Sequence, residues 1–113
     1  MSKSPTEYVR HMLDEAEYLL EESQHISRLE FLHDETLQRA FVRSIEILGE
    51  AANQLPGSFR ERYPNVEWRR ITAMRNRLIH GYFSVDHEIV WDVVRTKVPP
   101  LRDALRRVLN EEQ

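Results

Sequence analysis

The chain has 113 residues, no cysteine, 41% hydrophobic and 31% charged residues, and a formal net charge of −3. That length suits one small domain spanning residues 1–113, and the absence of cysteine excludes a disulfide framework, a thiolate metal site and a thiol nucleophile. Apolar runs are short and the N-terminal MSKSPTEYVR has no apolar h-region, so neither a membrane span nor a secretion signal is expected and a cytoplasmic location is.

The predicted elements are helical throughout. Val9, Met12, Leu13, Ala16, Leu19 and Leu20 recur at helical spacing, with Pro5 suited to a first turn. Ser23–His33 has weaker periodicity and reads as a connection with a short turn around Leu29–Leu32. Asp34 is a good N-cap for a helix from Glu35 to about Leu55, whose stripe of Leu37, Phe41, Ile45, Leu48, Ala52 and Leu55 is widened by Ala40, Ile47 and Ala51. Gly49 within that helix costs roughly 1 kcal/mol against alanine, a cost commonly offset by close approach of another helix. Pro56-Gly57 is read as the stop.

Ser58–Tyr63 reads as a short turn before Pro64. A further helix is expected to start near Val66 or Glu67, to bury Trp68, Ile71, Met74 and Leu78, and to stop at Gly81. Asp86 is the next N-cap. Ile89, Val90, Val93, Val94, Val98, Leu101, Leu105 and Val108 then form a long stripe, bent or interrupted at Pro99-Pro100. The resulting expectation is an all-α, up-down bundle of four main helices with a short extra helix or turn.

The mean charge hides an asymmetry. Residues 1–57 carry 5 Lys/Arg against 11 Asp/Glu, residues 58–113 carry 11 against 8, and 14 of the 16 cations are arginine. Arginine presents a planar fork matched to phosphate or carboxylate. Residues 58–82 hold six arginines against Glu61 and Glu67 only.

Residues 75–83 read Arg-Asn-Arg-Leu-Ile-His-Gly-Tyr-Phe. The group supplies a fixed cation (Arg75), an amide (Asn76), an imidazole that titrates near neutrality (His80) and a phenol (Tyr82). Those parts can cleave RNA without a metal. A histidine with a pKa of about 6.5 moves the proton of a 2′-hydroxyl or of the leaving oxygen, and an arginine stabilises charge on the phosphate. On an unbroken helix Arg75 and His80 diverge by about 140°. They act together only if the helix ends near Ile79 and His80 swings back, or if two chains pool their groups across a two-fold axis, which the Gly49-bearing helix would allow. Plainer readings stand beside these: His80 as a C-cap before Gly81, Arg75 paired with a carboxylate, Tyr82 and Phe83 filling the core beside Trp91. His11, His25, His33 and His87 lack a two-histidine metal spacing, so no metal and no cofactor is expected.

Arg75-Asn76-Arg77-Leu78-Ile79-His80-Gly81-Tyr82 resembles the Arg-x4-His-x-Tyr signature of HEPN-domain proteins, specifically the HepT-like group. Ile45-Glu46-Ile47-Leu48-Gly49-Glu50-Ala51-Ala52 resembles that group's central helix. Trp68, Val85-Asp86-His87-Glu88-Ile89-Val90-Trp91 and Pro99-Pro100-Leu101 also match, so the resemblance runs from about Tyr8 to Leu109. It implies a helical homodimer with two signatures facing one another in a composite cleft. It also implies the toxin of a toxin–antitoxin pair, a metal-independent ribonuclease with transfer RNA among its targets. The implied partner is a minimal nucleotidyltransferase (MNT-type) antitoxin that transfers AMP onto the signature tyrosine. Carried over, Arg75 and His80 are the catalytic pair, Asn76 is an auxiliary polar residue and Tyr82 is the AMP acceptor. For Arg69, Arg70 and Arg77 two roles stay open, guiding the RNA backbone or meeting an acidic face of the antitoxin. An alternative to the ribonuclease is a non-catalytic dimeric binding module for the nucleotidyltransferase.

Overall fold

The computed structural model describes residues 3–78 and 85–113. These form seven helices: α1 (Pro5–Gln24), α2 (Arg28–Leu32), α3 (Glu35–Gln54), α4 (Gly57–Arg62), α5 (Trp68–Leu78), α6 (His87–Thr96) and α7 (Val98–Glu112). The all-α expectation holds, and among the described residues there is no strand element.

α1 starts where Ser4 accepts a hydrogen bond from the Glu7 amide and Pro5 takes the first turn. Its stripe of Val9, Met12, Ala16 and Leu19 is fully buried. α1 packs against α3 and α7, while α5 packs against α3. α6 closes against α7, α1 and α2. α3 is therefore the central helix, as its wide apolar stripe predicts: Phe41, Ile45, Leu48, Ala52 and Leu55 are all buried. Asp34 caps it by accepting from the Leu37 amide.

Four sequence expectations are corrected here. The connection Ser23–His33 contains a real helix, α2, held by a capping box in which Ser27 accepts from the Glu30 amide and Glu30 accepts from the Ser27 amide. α2 inserts Phe31, fully buried, between Phe41 (ring centroids 4.8 Å apart) and Trp91 (5.3 Å). Residues 58–63 are largely the helix α4, not a turn. The stop expected at Pro56-Gly57 holds for Pro56 alone: α3 ends at Gln54, with Leu55 extended before the proline, while Gly57 opens α4.

The fourth concerns Pro99-Pro100. The expected long stripe does divide, but at Lys97, and the two prolines lie in the first turn of α7, where a missing amide costs nothing. Asp86 caps α6 by accepting from the Glu88 and Ile89 amides. The described residues give three helices of 15–20 residues, two of 10–11 and two of 5–6.

Ion pairs tie the periphery together. Arg28 bridges Asp92 at 2.7 Å, joining α2 to α6, and Arg106 bridges Glu17 at 3.0 Å, joining α7 to α1. At the far end Glu112 accepts from Arg62 at 3.1 Å and from the Tyr63 hydroxyl, while Trp68 Nε1 donates to the Tyr63 carbonyl. These contacts fix the α4–α5 connection, and hence where α5 begins.

Candidate functional site

α5 buries Trp68, Ile71 and Leu78, a stripe at steps of three and seven. Arg75 falls on that same stripe, four residues after Ile71 and three before Leu78. An arginine therefore faces α3 where the pattern calls for an apolar residue. Gly49 makes room for it. A Cβ added at Gly49 would lie 2.9 Å from Arg75 Cβ, 3.4 Å from its Cγ and 3.7 Å from the Ile71 carbonyl oxygen. The close helix approach expected at Gly49 is real, and within the chain its partner is α5.

The Arg75 guanidinium has two partners. Nη1 donates to Asn76 Oδ1 at 3.1 Å, and Nη2 lies 3.8 Å from Glu46 Oε2, one turn before Gly49 on α3. The plainer reading, pairing with a carboxylate, is thus satisfied, yet the side chain stays 38% exposed. Guanidinium carries five N–H donors, so a phosphate can still be bound with this pair intact. On the same α3 face, Arg43 bridges Glu50 at 3.7 Å.

The expected site is thus half visible. Arg75 and Asn76 are brought together on α5. His80, Gly81, Tyr82 and Phe83 lie outside the described residues, as do the C-cap reading of His80 and the expected end of the helix at Gly81. Arg69, Arg70 and Arg77 are all exposed on α5. Arg70 pairs with Glu67 at 3.3 Å, whereas Arg69 and Arg77 make no ion pair among the described residues. Arg69 and Arg70 line a shallow groove of about 410 Å³ between α4 and the start of α5, opposite Arg60 and Glu61. Arg77 does not line it. Among the described residues no group of three histidine or acidic side chains is placed to hold a metal. No helix there is long and apolar enough to cross a membrane.

The sequence pattern does not single out Glu46 or Arg60. Arg60 carries only the general signal of a basic stretch. Glu46 had a more specific one: a carboxylate three residues before a mid-helix glycine, inside a wide apolar stripe.

The family described as Ribonuclease HepT-like matches residues 12–108. A protein of Caldanaerobacter subterraneus subsp. tengcongensis named "Putative RNase TTE0752" is 42% identical over 111 residues, covering 98% of this chain and 99% of its own. "Probable ribonuclease HepT" of Thermococcus cleftensis is 32% identical over 108 residues, covering 96% and 98%. "Putative RNase MJ1380" of Methanocaldococcus jannaschii is 34% identical over 95 residues, covering 84% and 87%. No solved structure matches the chain significantly. The match takes in the whole α3–α5 seam that holds Arg75, and with relatives that align end to end it shows that the chain belongs to the HepT-like ribonuclease family.

Proposed function

We propose that this protein is a metal-independent endoribonuclease, the toxin of a toxin–antitoxin pair, acting as a homodimer in which Arg75 and His80 of two protomers meet in one cleft. Transfer RNA is the substrate class to test first. The observation that carries this reading is the seating of Arg75. An arginine occupies a core-stripe position of α5, in a notch left by Gly49, and keeps its guanidinium partly exposed.

In the proposed course the substrate 2′-hydroxyl attacks the adjacent phosphorus while His80 takes its proton. The bond from phosphorus to the 5′-oxygen breaks, and that oxygen receives a proton from the second protomer's imidazolium. A 2′,3′-cyclic phosphate is left. Arg75 stabilises the charge that builds on the non-bridging oxygens, and Asn76 orients Arg75. Arg69, Arg70 and Arg77 hold the flanking backbone. A nucleotidyltransferase antitoxin silences the enzyme by transferring AMP onto Tyr82. That places a bulky anion two residues from His80, where it fills the phosphate position and cancels the local positive field.

The test combines intact mass with RNA cleavage. Protein made without its partner is weighed to confirm an unmodified Tyr82, then mixed with total RNA in chelator beside His80→Ala and Arg75→Ala. Cleavage by the wild type, lowered at least about a hundredfold in each variant with the fold retained, is the expected result. Intact RNA with folded, unmodified dimer would replace this reading with a non-catalytic binding module for the nucleotidyltransferase.

A further inference from the structure

We infer that Glu46 is a positioning residue for Arg75, and that Glu46 and Gly49 together form a seat on α3 that sets where the guanidinium points. The inference rests on the ribonuclease reading for its catalytic consequence, though not for the seat itself. Glu46 and Gly49 are three residues apart and so share one face of α3. Gly49 determines how deeply the Arg75 stem enters, because its missing Cβ admits Arg75 Cβ to a distance no alanine would allow. Glu46 determines the direction of the far end, with Oε2 3.8 Å from Nη2, while the side chain of Asn76 takes Nη1.

Two features distinguish this pair from the other ion pairs among the described residues: it lies on the seam where Gly49 admits the Arg75 stem, and it engages the arginine that the motif requires. Its carboxylate side chain is 27% exposed, against 66% and 61% for the two acids that meet Arg28, and only Glu112, at 16%, is the more buried. An arginine side chain has several rotatable bonds and, left free, samples many orientations. Holding both ends removes that freedom before substrate arrives, which is the usual source of rate from preorganised charge. The neighbouring acid, Glu50, is already bridged to Arg43, so within this face Glu46 is the carboxylate that serves Arg75.

A positioning role predicts an effect on turnover rather than on binding. Removing the carboxylate also removes a negative charge near the phosphate site, so RNA affinity is expected to hold or to rise. Glu46→Gln should lower kcat by about tenfold to a hundredfold with KM unchanged or lower. Glu46→Asp, which keeps the charge with a shorter reach, should retain more kcat than Glu46→Gln. The seat is read independently of catalysis by NMR of arginine-labelled protein. The Arg75 Nη2 protons, which face Glu46, should exchange slowly with solvent in the wild type and faster in Glu46→Gln. Wild-type kcat in Glu46→Gln, a raised KM with unchanged kcat, or an Arg75 signal indifferent to the substitution would each overturn the inference. A wild type without cleavage would instead overturn the ribonuclease reading, and the exchange measurement would still decide whether Glu46 holds Arg75.

Discussion

A β-carbon at Gly49 would stand 2.9 Å from the Arg75 β-carbon, and neither atom can swing away, because each is fixed by its own helix backbone. Gly49→Ala would gain roughly 1 kcal/mol in helix propensity. It must also push α5 off α3, an overpacking that costs typically 1–3 kcal/mol. We expect a net loss of about 1 kcal/mol in urea unfolding, and a larger proportional loss of RNA cleavage because Arg75 moves with α5. Arg75 and Asn76 were legible in the sequence because the motif names them. Their seat was not, because a glycine and a glutamate on another helix acquire that role only when α3 and α5 cross. A second residue-scale prediction concerns Tyr63. Its hydrogen bond to the Glu112 carboxylate, with some burial, raises the Tyr63 phenol above its ordinary value of 10.0. A pKa raised by folding means that the neutral phenol favours the native state. Its stabilisation is full below pH 10 and is lost as pH rises through the folded value. Burial, with Glu22 and Glu15 nearby, raises Tyr18 in the same direction. With only two lysines and no cysteine, few other groups titrate there. Denaturation measured from pH 8 to 11 should therefore show stability falling above pH 10, and the fall should be shallower in Tyr63→Phe.

Helix α2 shows at the scale of an element what periodicity can and cannot reveal. Five residues span little more than one turn, too few for a stripe to emerge, so the segment reads as a connection. What marks it instead is Ser27-x-x-Glu30, a capping box that satisfies both orphan amides reciprocally. Its payload is Phe31, at the junction of α2, α3 and α6 and in contact with Phe41 and Trp91. Ser27→Ala is expected to cost about 1 kcal/mol, the usual loss of an N-cap. Phe31→Ala is expected to cost about 3–5 kcal/mol, because the surrounding helices can only partly close the cavity. Unfolding curves of both variants check the ratio: a connection merely draped over the core would make both losses small. The long helices were legible because each carries several turns of apolar repeat. α6 and α7 read as one interrupted stripe for the opposite reason. Their apolar residues stay in phase across Lys97, and Pro99-Pro100 marks a helix start as readily as a break.

Across the whole molecule the charge asymmetry acquires a location. α5 carries four arginines and no carboxylate of its own, whereas Asp14, Glu15, Glu17, Glu21 and Glu22 lie on α1, a separate neighbour of α3. An approaching polyanion is thus attracted by α5 and repelled by α1, a field that orients it before contact. Two of the α5 arginines are already engaged, Arg75 with Glu46 and Arg70 with Glu67. Arg69 and Arg77 are exposed with no ion pair among the described residues, so they are the ones whose charge is fully available to a phosphate. If they track the RNA backbone, each contact releases counterions and contributes about 0.7 to the slope of log affinity against log salt for a single strand. Arg69→Ala and Arg77→Ala should each flatten that slope by about this amount, and the double variant by about twice as much. Arg106→Ala is the matched control, since that arginine bridges Glu17 between α7 and α1 and lies outside α5. It removes the same charge from the molecule and should leave the slope nearly unchanged. The pattern separates the two roles open to these arginines. RNA guidance requires a flattened slope and a raised KM for long RNA, whereas service to an acidic face of the proposed antitoxin requires an unchanged slope and weaker binding of a nucleotidyltransferase. Were Arg106→Ala to flatten the slope as much as the α5 variants, net charge alone would govern RNA binding, and the basic face of α5 would have no special part in it.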